Sequence, residues 1–211
     1  MARQDAFESH HRRYDEWFKR HEAAYVSELL ALRAFLPCEG DGLEIGVGSG
    51  RFAVPLGVRV GLDPSPAMLE YAARRGIEVV EGVAEDLPFA SGRFDHALLV
   101  TTICFLDSPE AMVAEARRVL RPGGRLVIGF IDRESPLGQV YATHQQESVF
   151  YWDATFYSAD EVGTFLEGGG FRVDAWGQTL AHSLASTREI EPLRPGRGEC
   201  AFVVVSAING G

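Results

Sequence analysis

Leu43-Glu44-Ile45-Gly46-Val47-Gly48-Ser49-Gly50-Arg51-Phe52 is an apolar strand end running into a glycine turn, and Gly61-Leu62-Asp63-Pro64 closes a second apolar run. A glycine-rich first turn paired with an acid about 20 positions later is how a doubly wound α/β sheet holds a ribose-containing cofactor. Gly46, Gly48 and Gly50 free the backbone to turn tightly and approach a ligand. The Asp63 carboxylate can accept hydrogen bonds from both ribose hydroxyls.

Two residues narrow the choice of cofactor. A dinucleotide fold needs G-x-G-x-x-G, whose third glycine falls at position 51, and this chain has Arg51 there. That argues against close helix-to-strand packing around a pyrophosphate. Glu44, two residues before the first glycine, would repel phosphates and attract an ammonium or sulfonium group. The turn is suited to a cationic amino-acid nucleoside.

Four segments occur in order: E-x-G-x-G-x-G from Glu44, L-D-P-S-x-x-M-L from Leu62, E-G-x-A-E-D-L-P-F from Glu81 and R-x-L-R-P-G-G-R-L from Arg118. This ordered set resembles the class I S-adenosylmethionine-dependent methyltransferases, of the type 11 group that includes small-molecule and ubiquinone/menaquinone-pathway enzymes. The match covers roughly residues 40–131 and is weaker toward the C-terminus. It implies S-adenosylmethionine as cofactor and a Rossmann-like seven-stranded sheet whose last strand is antiparallel. It also implies an N-terminal helical lid.

Length and composition fit one such domain: residues 1–36 as the lid, 40–131 as the cofactor-binding core, 132–158 as an acceptor-side insert and 159–211 as a C-terminal helix and strand pair. No linker, repeat or low-complexity segment divides the 211 residues. The N-terminal residues are polar, and no apolar run approaches the roughly 20 residues that span a bilayer, so a cytoplasmic protein is expected. Cys38, Cys104 and Cys200 lack C-x-x-C spacing, which indicates neither a disulfide framework nor a zinc site. A net charge of −10 disfavours a nucleic-acid backbone as partner and favours a small-molecule acceptor.

Short β-branched runs at 42–45, 58–62, 77–80, 97–100 and 125–131 read as buried parallel strands. Helices are expected from Pro66, with Ser65 as N-cap, and from Pro109 to Leu120, where Arg121-Pro122-Gly123-Gly124 stops the chain. Residues 51–57 contain Pro55 and leave room for only a truncated first crossover helix. A helix near 159–166 and strands at 171–179 and 200–207 complete the pattern.

For the cofactor, Glu44 is assigned to the methionine ammonium and Asp63 to the ribose. Met68 either lies on one face of adenine or is plain core. The resembling family commonly carries aspartate where this chain has Val83, so adenine recognition falls to the Ala84 backbone and to Glu85 or Asp86. Thr101 emerges from the fourth strand beside the methyl-bearing sulfur. The family's Y-D-x-W segment, here Tyr14-Asp15-Glu16-Trp17, supports Tyr14 as a pocket residue of an aromatic lid, where ring faces favour a cation. Trp17 and Phe18 serve either that lid or simple docking.

The acceptor side is less defined. Asp132, Glu134 and His144 are candidate bases, with a loop salt bridge to Arg133 as the alternative for the two acids. Cys104 reads as an inert core thiol, because methyl transfer needs no enzyme nucleophile. The lack of an obvious base leans toward a nitrogen or sulfur acceptor and direct in-line displacement. Two rival readings are a non-catalytic S-adenosylmethionine-binding protein and an NAD(P)-dependent oxidoreductase, the latter opposed by Glu44 and Arg51.

Overall fold

The computed structural model describes residues 5–210; residues 1–4, the polar start of the expected lid, and Gly211 lie outside the described residues. Two helices, α1 (Asp5–Arg20) and α2 (Glu22–Arg33), precede β1 (Gly42–Ile45), α3 (Ala53–Leu56), β2 (Val60–Asp63), α4 (Pro66–Arg74) and β3 (Glu78–Glu81). They are followed by β4 (Phe94–Val100), α5 (Pro109–Val119), β5 (Leu120–Ile131), α6 (Pro136–Thr143) and α7 (Ala159–Gly168). The chain closes with β6 (Phe171–Thr179), β7 (Arg194–Pro195) and β8 (Phe202–Asn209).

The strands form one sheet in the order β3-β2-β1-β4-β5-β8-β6-β7. Strands β1 to β5 pair in parallel, and β8 lies antiparallel between β5 and β6. All seven expected strands are present. An eighth, β7, has two exposed residues that pair with Gly177 and Gln178. It carries no apolar pattern that could have announced it. The order reverses between β1 and β4, which opens a crevice at the carboxyl ends of those strands.

Period-two alternation divides the core between the two faces. Leu43, Ile45, Ala97, Leu99, Leu126 and Ile128 pack with residues of α5 and α7. Leu98, Val100 and Val127 pack with residues of α1, α2, α3 and α4. Helix starts follow the serine signals: Ser65 Oγ accepts from Met68 N at 3.2 Å and Ser108 Oγ from Ala111 N at 3.1 Å. The first crossover helix is indeed short, four residues ending at left-handed Gly57. Within the 132–158 insert, Ser135 caps an unforeseen helix, α6, with Pro136 in its first turn.

Position 51 takes on a different task from the glycine of a dinucleotide fold. Arg51 donates through Nε to Asp15 Oδ1 at 2.8 Å and through Nη2 to Oδ2 at 2.5 Å. Arg75, at the end of α4, reaches the same carboxylate at 2.8 Å, and Ser49 Oγ donates to it at 3.0 Å. Burial raises the Asp15 carboxyl, but Arg51, Arg75 and Ser49 outweigh it and hold the group below the usual carboxylate range. Glu8 adds a second clasp, accepting from Ser65 Oγ at 2.5 Å and Ala67 N at 3.1 Å. Helix α1 is therefore fastened across the cleft by charge and hydrogen bonds.

Helix α2 is held instead by close approach. A Cβ at Gly129 of β5 would fall 2.6 Å from Phe202 Cζ and 2.9 Å from Leu32 Cδ2. Gly129→Ala is expected to lower stability by about 1–3 kcal/mol in urea titration. A Leu32→Ala background should relieve part of that loss, so that the two changes are less than additive. Asp15→Asn leaves two arginines without their carboxylate. It should cost about 1–2 kcal/mol, less than a fully buried pair because both arginines keep some solvent. Amide exchange in α1 should accelerate above all. Because the Asp15 pKa is depressed in the folded state, its contribution persists above about pH 4 and is lost only as pH falls through the folded value.

Candidate active site

The carboxyl ends of β1, β2, β4 and β5 open into a cavity of about 720 Å³ roofed by α1 and α2, within the usual range of about 300–1,000 Å³ for a small-molecule site. Of the residues nominated from sequence, Tyr14, Gly46, Gly48, Asp63, Met68, Ala84, Glu85 and Thr101 line it; Glu44 and Gly50 do not.

The β1–β2 side is built around Asp63. Its Oδ2 accepts from Gly48 N at 2.8 Å and its Oδ1 from Ser65 N at 2.9 Å. Burial pushes the carboxyl up to about 6 despite those two donors. Gly46 and Gly48 have φ of 75° and 50°, a region costly to other residues. A Cβ at Gly46 would collide with Thr102 Oγ1 at 2.4 Å, whereas one at Gly48 would meet only the Tyr14 ring at 3.7 Å. The open face of the turn thus looks toward Tyr14.

Gly50, also left-handed at φ 78°, serves the fold: a Cβ there would press on Ala72 Cα of α4 at 3.2 Å. Glu44 sits behind the wall. It is 1 % exposed, its Oε2 has no hydrogen-bond partner, and burial drives its carboxyl well up against the lowering effect of the Ala53 N–H. Met68 and Ala84 are buried wall residues. Glu85 lines the cavity, yet its Oε1 accepts from Asp107 N at 2.9 Å and Ser108 N at 3.4 Å, tying the third-strand loop to the start of α5.

Two wall positions carry backbone strain. Thr101 (φ 47°) and Leu180 (φ 64°) are the non-glycine residues with positive φ among the described residues, and both line the cavity. Such conformations persist where surrounding structure over-determines them, and they concentrate at functional sites.

The far side, beyond β4 and β5, is aromatic. Phe105 stacks on Tyr151 at 5.6 Å, Tyr151 meets Tyr141 at 5.4 Å, and Phe150 contacts Tyr14 at 5.9 Å. Cys104 packs in this cluster beside Phe156 and Ala154, its Sγ donating to Thr101 O at 3.5 Å. Trp17 and Phe18 line the cavity and pack on each other, so they serve wall and docking together.

The bases expected from sequence lie elsewhere. Asp132 is buried and turned into its own loop, where Oδ1 accepts from Glu134 N at 3.0 Å; Glu134 and His144 are exposed, and none of the three lines the cavity. Arg133 pairs with Glu161 at 2.9 Å rather than with either acid. The carboxyl that does reach this side is Glu28 of α2, 4 % exposed and pushed up to about 8 by burial. Its signal in sequence is faint: a charge on the face of α2 defined by buried Ala24 and Ala31. No group of three or more potential metal ligands occurs among the described residues, and no helix among them is long and apolar enough to cross a membrane.

Residues 43–128 match the family model for a methyltransferase domain. The crystal structure of a Thermotoga maritima S-adenosylmethionine-dependent methyltransferase, named as a possible histamine N-methyltransferase, superposes with a TM-score of 0.94. It shares 46 % identity with this chain over 97 % of it and 98 % of the other. An uncharacterised Methanocaldococcus jannaschii protein is 42 % identical over 96 % of this chain and 98 % of its own length. A malonyl-[acyl-carrier protein] O-methyltransferase of Hahella chejuensis is 38 % identical over 70 % of this chain and 56 % of its own. By its glycine turn, its reversed sheet with an antiparallel β8 and this near-full-length likeness, the chain belongs to the class I S-adenosylmethionine-dependent methyltransferases.

Proposed function

We propose that the protein transfers the methyl group of S-adenosylmethionine to a nitrogen or sulfur atom of a small-molecule acceptor. The observation that carries the reading is the division of one cavity into two unlike halves. Asp63, Gly46 and Gly48 stand at the β1–β2 ends, and packed aromatic rings stand beyond β4 and β5. The name of the Thermotoga maritima relative, a possible histamine N-methyltransferase, supports nitrogen.

When bound, S-adenosylmethionine supplies a methyl on a sulfonium, a carbon already attached to a good leaving group. The residues fit such a cofactor. Asp63, oriented by the Gly48 and Ser65 N–H groups, has lone pairs left to accept from ribose hydroxyls. Gly46 and Gly48 let the backbone come close, and Met68 and Ala84 offer apolar surface to a base. Glu85, engaged with the Asp107 and Ser108 N–H groups, frames that end rather than standing free in it. Tyr14 over Gly48 presents a ring face favourable to a cation. Glu44, two residues before Gly46, keeps one buried oxygen without a partner, and its raised carboxyl would ionise more readily beside a positive charge. That charge pattern disfavours the pyrophosphate of a nicotinamide dinucleotide.

At the acceptor, the residues' work is alignment and exclusion of water. The clasped α1 covers the cavity, Thr101 sits between its halves, and no base is needed at Asp132, Glu134 or His144. Good orientation can lower a barrier by about 7–11 kcal/mol.

Calorimetry with S-adenosylmethionine, S-adenosylhomocysteine and NADH tests this reading. Both sulfur nucleosides should bind, and Asp63→Ala should weaken each by tenfold or more; NADH binding, or no nucleoside binding, would overturn it. Affinity for the nucleosides should be full near pH 7.5 and decline as pH falls through about 6, where Asp63 takes up a proton, and Asp63→Ala should flatten that profile.

A further inference from the structure

We infer that Glu28 selects the acceptor, and that the acceptor is a small amine with an apolar body, its nitrogen against the Glu28 carboxyl and its body among the surrounding rings. The inference rests on the methyl-transfer reading above.

Glu28 is 4 % exposed and takes part in no hydrogen bond or ion pair among the described residues. Its oxygens are not sealed off as Glu44 Oε2 is, so the carboxyl opens to the cavity and is satisfied by what the cavity holds, water or a ligand. Its place is on the acceptor half. One turn along α2, Leu32 packs over Gly129 of β5, and Glu28 shares the cavity wall with Ile131 and Leu180, at the carboxyl ends of β5 and β6. The groups near enough to feel its charge are phenols from every side: Tyr14 of α1, Tyr25 of α2, Tyr141 of α6 and Tyr151 of the loop before α7. Arg13 and Arg20 of α1 also line the cavity, yet neither pairs with it. An acid with tyrosines on several sides and no cation among the described residues paired to it is complementary to an ammonium group, which gains an ion pair from the carboxyl and contact with aromatic rings. A thiol or phenol gains no ion pair.

The same carboxyl answers a chemical need. An alkylamine is protonated in neutral water and has no free lone pair. Burial leaves the Glu28 carboxyl largely protonated in the empty site. It gives that proton to water as the ammonium enters, and the ammonium proton then passes to the carboxylate, leaving a neutral amine and a neutral acid, the favoured pair once both have left water. The nitrogen lone pair then forms the N–C bond as the methyl C–S bond breaks, with that bond's electrons staying on sulfur. The methylated ammonium departs, and Glu28 keeps its proton.

Calorimetry on protein loaded with S-adenosylhomocysteine tests this, with phenethylamine and its uncharged counterpart 2-phenylethanol as probes. The amine should bind at least tenfold more tightly than the alcohol. Glu28→Gln should abolish that preference while S-adenosylhomocysteine affinity stays within twofold, and Glu28→Asp should restore part of it. Equal binding of the two probes by the native protein, or an unchanged preference in Glu28→Gln, overturns the inference. So does loss of S-adenosylhomocysteine binding in Glu28→Gln, which would assign the carboxyl to the cofactor. Failure of the native protein to bind S-adenosylhomocysteine at all overturns the methyl-transfer reading and this inference with it.

Discussion

The two N–H groups donated to Asp63 organise one half of the molecule. Gly48 N joins the end of β2 to the turn after β1, and Ser65 N joins it to the start of α4. Ser65 in turn caps α4 through Oγ and donates that hydroxyl to Glu8 of α1. The neighbouring turn residues Ser49 and Arg51 grip Asp15. A single glycine turn therefore sets the first crossover, orients the acid at the cavity wall and anchors the helix above it. Such economy suits a site whose ligand must be enclosed, because the groups that shape the floor also hold the roof.

Electrostatics gives the cavity its second constraint. Asp63, Glu44 and Glu28 are all buried, and all three carboxyls are raised by desolvation. The cations nearest the floor are spent on Asp15: Arg51 and Arg75 both pair with it. Three raised acids, none of them paired with an arginine among the described residues, make an environment that is stabilised when positive charge enters. A sulfonium cofactor carrying an ammonium supplies that charge, and a dinucleotide supplies the opposite.

Much of the cofactor half is legible in sequence because its determinants are local. The glycine turn, the acid after β2 and the serine-proline helix starts each lie within a few residues of what they control, so spacing alone exposes them. Arg51 shows where this stops. As a departure from the dinucleotide pattern it is visible, but its partner lies 36 positions away in α1, and only the folded chain brings them together. Gly50 belongs to the same motif as Gly46 and Gly48 yet packs against Ala72, a distinction between a ligand glycine and a packing glycine that a motif cannot make. On the other side the buried carboxyl comes from Glu28 of α2, whose sequence carries no motif that marks it. Asp132 and Glu134, placed by their position after β5 at the edge where ligands bind, turn away into a loop.

The strained residues show which part of the cavity wall is set by backbone geometry. Thr101 is held in its left-handed conformation by the ladder itself, its N–H donating to Gly129 O at 2.7 Å. Leu180 is pinned by Ala201 N, which donates to its carbonyl at 2.9 Å. Both bonds extend the ladder between interior strands, β4 with β5 and β6 with β8, so two wall positions are set by backbone geometry. The rest of that wall hangs on α2, which packs on the sheet through Leu32 over Gly129, on α6, and on the loop before α7, which is tied by Arg133 N to Tyr157 O at 3.0 Å and Thr155 N to Cys104 O at 2.7 Å. Side chains on those elements can be exchanged without disturbing the ladder. Those elements are specified by contacts distant in sequence, which is why a local sequence pattern points to the methyl donor more readily than to the group that receives the methyl.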